Sequence, residues 1–193
     1  MKSLLLFLFF LPYPLYSQSN GAGLGPFRLG MTTPDSLRQS GFQEQELVVV
    51  KGTLALPCTS IRVFKADTVE LQGITIAALF LVFHENRLYR ITCEFDKPLQ
   101  TTFVSQHGKG QKRPARHLAL CDQSYAKRMV LESESWQLGD CVALAIRSVG
   151  INARCEPEQR SRLTIASQSV AAITSECDLD HLDPYFDEIW MKR

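Results

Sequence analysis

The pattern of apolar residues along the chain predicts a protein built mainly of β-strands. Residues 74–83 are rich in Ile, Phe, Leu and Val, a polar turn follows at 84–87, and residues 88–95 form a second apolar stretch. β-Branched and aromatic runs joined by a short polar turn predict a β-hairpin. The first strand is apolar on both faces and the second alternates, so we expect the first to be central and the second to lie nearer an edge. Further strands are predicted at 47–51, 61–64, 129–131, 141–149, 162–166 and 170–174.

Capping signals predict two or three short helices among these strands. The first begins at Thr33, with Pro34 at its first helical position, and ends at Gly41. The second covers 98–107, starts from Asp96 or Lys97 and stops at Gly108, and the third begins at the N-cap residue Asp183. An apolar stripe on the third helix consists of Tyr185, Phe186, Ile189 and Trp190.

These elements together predict an α+β fold, in which an antiparallel sheet carries the short helices. The helix-ending residues Gly41 and Gly108 are 67 residues apart, and Gly73 and Gly139, which each precede an apolar strand, are 66 apart. This spacing favours two tandem helix-plus-sheet halves, 26–96 and 97–193.

The N-terminus has the order of a secretory signal peptide. Lys2 supplies one positive charge, residues 4–11 are apolar, and Pro12 ends the run, which is too short to span a bilayer. We therefore expect residues 1–17 to be removed near Ser17 and the product to be secreted or periplasmic.

A glycine-rich leader, 18–25, and a single α+β domain, 26–193, are expected to follow the signal peptide. The first cysteine is Cys58, so none lies where a bacterial lipoprotein would carry its lipid. We expect no transmembrane anchor, because no later apolar run is long enough.

All six cysteines lie in the exported part of the chain, which points to disulfide bonds. Six cysteines allow fifteen connectivities. We favour Cys141 with Cys155, since a strand leaves the first and a turn near 150–152 brings the chain back; the other two pairs follow by elimination. A thiolate metal site without any C-x-x-C motif and free buried thiols are the alternatives. The two pairs that follow by elimination are Cys58 with Cys93 and Cys121 with Cys177.

The charge balance excludes some classes of partner. The chain has 21 basic and 20 acidic residues, and loss of Lys2 with the signal peptide leaves 20 of each. A neutral protein has no electrostatic basis for binding nucleic acid or an anionic membrane as its main partner.

Two charged segments are candidate binding sites. Asp178, Asp180 and Asp183 place carboxylates at intervals that could hold calcium, although capping of the following helix and compensation of its dipole are the favoured explanation. Segment 109–117 is a basic loop whose default interpretation is a solvated loop, and which could bind a polyanion or an acidic protein surface. It lacks the interleaved aromatic residues that stack on nucleic acid bases. Its basic residues are Lys109, Lys112, Arg113 and Arg116.

No catalytic or cofactor motif is present in the sequence. The four histidines, His84, His107, His117 and His181, are not in metal-binding spacing, and there is no G-x-S-x-G or phosphate-binding glycine loop. We therefore assign no catalytic residue and no cofactor.

The segment Gly25-Pro26-Phe27-Arg28-Leu29-Gly30-Met31-Thr32-Thr33-Pro34 resembles the F-x-L-G-M-(S/T) opening of small exported bacterial proteins of the Bacteroidetes type. It is more distantly similar to the β-lactamase-inhibitor-like and small outer-membrane-assembly lipoprotein families. Residues 81–91 are similar to the F-x-N-x-L-Y-x-I hairpin of such chains. The resemblance implies a small helix-plus-sheet module that binds protein and has no catalytic residues.

The sequence thus favours an exported, non-catalytic module that binds another protein or an envelope component, with its oligomeric state open. One alternative is a secreted hydrolase whose site is assembled from dispersed residues. Another is a calcium-assisted binder of envelope or carbohydrate.

Overall fold

A computed structural model gives the structure of the residues considered below. The predicted signal peptide, the predicted strand at 47–51 and most of the predicted last helix lie outside them. The described residues are 22–37, 41–45, 56–121, 128–175, 177, 179, 182–183, 185–186 and 189.

The described chain forms ten strands, and eight of them make one antiparallel sheet. The order across that sheet is β3-β4-β5-β6-β10-β9-β8-β7, while β1 and β2 pair separately. The bounds are β1 Gly23–Leu24, β2 Phe27–Arg28, β3 Gln43–Gln45, β4 Ile61–Leu71, β5 Ile74–His84, β6 Arg87–Glu94, β7 Gln111–Leu118, β8 Met129–Leu138, β9 Cys141–Ile151 and β10 Pro157–Ser167.

The sheet consists of two four-strand meanders that meet at the β6–β10 pair. β3 to β6 form one half and β7 to β10 the other, and the central ladder pairs Thr92 with Thr164. Gly73 and Gly139 precede β5 and β9 as expected, with φ values of 79° and 67° that suit glycine in tight hairpin turns. The expectation that the second hairpin strand lies nearer an edge is wrong: β6 is central, because it pairs with β5 on one side and with β10 on the other.

The helices match the capping signals in part. Helix α1 (Lys97–His107) is confirmed, and the side chain of Asp96 accepts a hydrogen bond from the Leu99 amide at 3.0 Å. The first predicted helix is only a 3-10 turn over Pro34–Leu37 in the described residues, and a second turn covers Leu56–Ser60. The strand predicted at 170–174 is instead helix α2 (Gln168–Ile173), since β10 ends at Ser167 and the chain leaves the sheet.

Each side of the sheet is covered by a different part of the chain. On the helix face, α1 and the residues around β1 and β2 pack on strands β5, β6, β9 and β10. On the C-terminal face, the described residues from 177 to 189 pack on the other side of the same strands. Buried residues of the helix face include Ile91, Ala143, Leu163, Leu99 and Phe103, and those of the C-terminal face include Val82, Leu144, Ala166, Leu182 and Phe186.

The start of the described chain is more ordered than the predicted leader. Leu24 and Phe27 are buried in the helix-face core, and the Leu29 amide donates to the Ala22 carbonyl at 2.9 Å. Residues 22–25 therefore belong to the fold, because apolar side chains on both sides of the Gly25 turn (φ 56°) reach the core.

Two disulfides are present, but their pairing differs from the predicted one. Cys58 is bonded to Cys177 and Cys121 to Cys155, while Cys93 and Cys141 are free and buried. The predicted pair of Cys141 with Cys155 is wrong, because β9 separates its first residue from its far end by about 33 Å. The two bonds indicate an oxidising, extracytoplasmic location.

We expect the two disulfides to contribute unequally to stability. The Cys58–Cys177 bond spans 119 residues and the Cys121–Cys155 bond spans 34. In the chain-entropy model these loops correspond to about 5 and about 4 kcal/mol. Urea denaturation of C58S/C177S and of C121S/C155S should therefore show the larger loss in the first. Peptide mapping without reductant should recover these two pairs, and a linked peptide containing Cys93 or Cys141 would contradict the fold.

Candidate functional site

The basic segment 109–117, predicted to be a loop, is largely the edge strand β7. It pairs with β8 on one side and is the last strand in the sheet order. Lys112 lies directly across from Glu134, so opposite charges meet on the ladder and favour strand pairing. The sequence signal was obscured because Pro114 and the basic residues resemble a loop composition.

The edge of β7 is unsuited to adding a further strand. Pro114 has no amide hydrogen, and the register with β8 shifts between Arg113 and Arg116. A proline, a bulge and exposed basic side chains are the features that protect sheet edges from pairing with other chains. A partner at this edge would therefore be contacted by side chains more than by a continued backbone ladder.

A groove of about 850 Å³ opens on the helix face beside β7. Its walls come from α1 and from strands β7, β8, β9 and β10, and its floor includes Ala145. Phe95, the aromatic residue in the lining, is only 6% exposed and offers no open ring for stacking on a sugar. The charged and hydroxyl side chains around the groove include Lys97, Lys112, Glu132, Glu134, Arg147 and Ser161.

The acidic groups of the groove are already engaged, whereas two of its lysines are not. Glu132 lies 3.5 Å from Arg147, and Glu134 accepts a hydrogen bond from the Gly110 amide at 2.8 Å. Lys97 and Lys112 are exposed and form no ion pair with any described residue. The groove therefore presents two exposed lysines along the side nearest α1 and β7, with the Glu134 carboxylate across the ladder from Lys112.

The other predicted basic residues are placed differently. Lys109 is exposed just before β7. Arg113 turns to the C-terminal face and donates to the Ile189 carbonyl at 3.1 Å, so it anchors the end of the chain. Arg116 lies across from Leu131, which belongs to the C-terminal face. The structure thus places Lys112 and Arg113 in the lining of the groove, with Arg113 also bonded to the C-terminal face.

The described histidines do not converge on one site. His84 ends β5, and His117 lies in β7. His107 ends α1 with its ring 4.4 Å from that of Phe103, and burial, aided by Arg28, lowers the pKa of His107. His181 lies outside the described residues. In the ranges that the structure describes, no three His, Cys, Asp or Glu side chains are grouped to hold a metal ion.

A second cavity, of about 280 Å³, brings a thiol and a histidine together. Cys141, Asp140, His84 and Ser167 all line it. Burial, together with the Asp140 carboxylate that accepts a hydrogen bond from the thiol at 3.6 Å, raises the pKa of Cys141 to about 11. The thiol is protonated at neutral pH, so these groups lack the thiolate that nucleophilic catalysis requires.

Cys93 and Cys141 are too far apart to form a disulfide. Both face the helix-face core, but Cys93 lies across from Leu163 on β10 and Cys141 lies across from Ser167 on the same strand. Four residues along the strand and two strand spacings place them well beyond about 7 Å. Burial raises the pKa of Cys93 to about 12.

Of the predicted calcium ligands, only Asp183 is described, and it does not form a cation site. Its carboxylate is 2% exposed and accepts a hydrogen bond from the Thr164 hydroxyl at 2.7 Å. The positive charge of Arg162 interacts with it across the same face. Asp178 and Asp180 lie outside the described residues.

The sequence interpretation missed a buried polar group at the centre of the C-terminal face. Arg90 and Thr92 of β6 and Arg162 and Thr164 of β10 all point to this face, and Arg90 is only 4% exposed. The alternation of polar and apolar residues predicts that one side of β6 is exposed to solvent. The length and the apolar stripe of the C-terminal segment could have predicted this group, because such a segment must pack on one face of the sheet and bury the residues there.

No protein-family model, curated protein or solved structure matches this chain. The resemblance of residues 25–34 to small exported bacterial proteins therefore stays a prediction. No helix among the described residues is long and apolar enough to cross a membrane.

We expect both free thiols to be unreactive in the native protein at neutral pH. Their raised pKa values, about 12 for Cys93 and about 11 for Cys141, leave almost no thiolate at pH 7. Labelling with iodoacetamide, followed by mass spectrometry, should modify Cys141 first as the pH rises towards 11. Denaturation at pH 8 is the control and should expose both thiols. Rapid native-state labelling at pH 7 would contradict this placement.

Proposed function

We propose that this chain is an exported, non-catalytic module that binds an extended acidic stretch of another protein in the groove beside β7. The observation that carries the proposal is the open 850 Å³ groove with free lysines along one side. Such a groove suits a polypeptide with both polar and apolar side chains, because its lining combines charged and hydroxyl groups with apolar residues such as Ala145.

Charge complementarity supports an acidic partner segment. Lys97 and Lys112 are exposed in the lining of the groove and Lys109 is exposed two residues before β7, while Glu132 and Glu134 are engaged within the protein. Positive potential at a groove both steers an acidic partner and sets its orientation.

The closed edges of the sheet support binding through side chains. β7 carries Pro114 and a register shift, and the described part of β3 is three residues long. A protein with these edges resists open-ended strand addition and can still hold a single partner on its face.

We further infer that the two halves of the sheet are tandem repeats. β5 and β9 both have eleven residues and start 67 positions apart, and each half is a four-strand meander that follows a helical turn. Antiparallel pairing of β6 with β10 relates the halves by an approximate two-fold axis through the sheet, as expected of duplicated units.

The two other functions are less well supported. A hydrolase would need an activated nucleophile, whereas the thiol beside His84 has its pKa raised to about 11. A calcium-assisted binder would need free carboxylates, whereas Asp183 is buried against a threonine hydroxyl and an arginine.

The proposal can be tested with a fluorescein-labelled ten-residue peptide of alternating Val and Glu and the oxidised mature protein. Lys97→Glu and Lys112→Glu together should weaken binding about tenfold or more, since two attractions in the groove become repulsions. Fluorescence anisotropy at 50 mM and 500 mM NaCl should show the wild-type advantage shrinking with salt.

Two control variants distinguish binding in the groove from a general effect of the protein's charge. Ser161→Trp fills the groove without changing charge and should also reduce binding, whereas Arg154→Glu reverses an exposed charge in the turn between β9 and β10 and should not. Equal binding of the corresponding Val and Lys peptide, or no effect of Ser161→Trp, would overturn the proposed site.

A further inference from the structure

Strand β4 has a neighbour on its outer side along only part of its length. β3, the outermost strand of this half, pairs with Val63 to Lys65 and leaves residues 66–71, the open stretch, uncovered. Among the described residues, no backbone hydrogen bond reaches the open stretch from the side away from β5. Since the backbone groups of a strand point alternately to its two neighbours, every second residue here has an N–H and a C=O without a strand partner.

The open stretch lacks the features that protect the opposite edge of the sheet. β7 contains Pro114 and a shift in register, whereas residues 66–71 contain no proline and pair with β5 in a constant register. Asp67, Thr68 and Glu70 are exposed. Six residues extend about 20 Å, which is the length of an ordinary strand. The open stretch is therefore long enough to pair with one added strand.

An apolar groove of about 550 Å³ lies beside the open stretch. Val69 and Leu71 line it from β4, at alternate positions that pack on the helix-face core. Met31 lines it from the segment after β2, and at 73% exposure it is the most exposed large apolar side chain among the described residues. The flexible thioether of methionine adapts to side chains of different shape. A strand added to β4 would direct every second side chain towards this groove.

The charges of the open stretch disfavour a second copy of this chain as the added strand. The Asp67 carboxylate already lies 2.7 Å from Lys65, and the Glu70 carboxylate accepts a hydrogen bond from the Thr75 hydroxyl. Antiparallel pairing of 66–71 with the same stretch of another copy would place Asp67 of each copy opposite Glu70 of the other. Like charges directly opposite destabilise a ladder, and an uncharged strand avoids this repulsion.

We propose that the open stretch of β4 binds an uncharged, extended segment of another protein as an added strand, with apolar side chains at every second position in the 550 Å³ groove. In such strand addition the backbone hydrogen bonds provide affinity and the side-chain groove provides specificity. This site differs from the groove beside β7, because β4 and β7 belong to opposite halves of the sheet.

Two N-methylated peptides test for strand addition without changing the protein. The probe is a fluorescein-labelled seven-residue peptide of alternating Thr and Val, titrated with the oxidised mature protein and followed by fluorescence anisotropy. An added strand turns the N–H groups of alternate residues towards β4, so methylation of either the Val or the Thr nitrogens should abolish binding, while the other methylation should not. Equal effects of the two methylations, or no binding of the unmodified peptide, would overturn the proposal.

Matched variants test the groove. Met31→Asp places a charge among apolar side chains and should weaken binding of the unmodified peptide about tenfold. Ile173→Asp makes the same change at a residue of α2 that is 56% exposed and outside this groove, and it should leave binding unchanged. Equal losses in the two variants would contradict the site.

Ser161→Trp separates this proposal from the one for the groove beside β7. It fills that groove and should not affect the Thr and Val peptide. The two proposed sites can therefore fail independently.

Amide hydrogen exchange of the native protein locates the added strand. Saturating peptide should slow exchange at alternate amides of residues 66–71. Protection confined to β7 to β10 would overturn the proposal. Sedimentation equilibrium without peptide provides a further test, because a dimer that Met31→Asp dissociates would identify a second copy as the occupant and overturn it as well.

Discussion

The pairing of β6 with β10 is the contact on which the rest of the structure depends. It joins two four-strand meanders that would otherwise be separate sheets, and it places Ile91 against Ile165 and Cys93 against Leu163 on the helix face. The partners are 72 residues apart where Thr92 meets Thr164, so neither half can form this contact alone. Its long sequence separation means that the loop-closure entropy must be overcome before the apolar contacts of the joint are gained.

Both faces of the β6–β10 pair are covered by apolar residues of other elements. The pair itself is apolar on the helix face alone. On the C-terminal face the strands present threonines and arginines, and the described residues between Cys177 and Ile189 pack over this face. That segment is held at one end by the disulfide to Cys58 and at the other by the hydrogen bond from Arg113. Since these two anchors belong to different halves, the segment ties the meanders together a second time, across the joint.

Sequence patterns within a few residues predicted the strands and the helix whose formation depends mainly on neighbouring residues. The hairpin of β5 and β6, strand β9 and helix α1 with its Asp96 cap were predicted because alternation, turn residues and capping act within a few positions. The central place of β6, the strand identity of β7 and the disulfide pairing depend on partners far away in sequence, and no local pattern contains them. Arg90 shows the difficulty plainly: a charged residue at an alternate position indicates solvent, until a distant segment covers it.

The position of the groove follows from the length of one helix. α1 leaves the sheet just after β6 and ends beside Trp136, whose indole Nε1 donates to the Gly108 carbonyl at 2.9 Å. Eleven helical residues extend about 16 Å, enough to cover the Trp136 end of β8 and no more. Glu132 and Arg147 lie at the uncovered end, where alternate positions of the strands need not be apolar because no described helix packs on them. The polar lining of the groove is therefore a direct consequence of where α1 stops, and a binding surface can vary there without disturbing the core that joins the two halves.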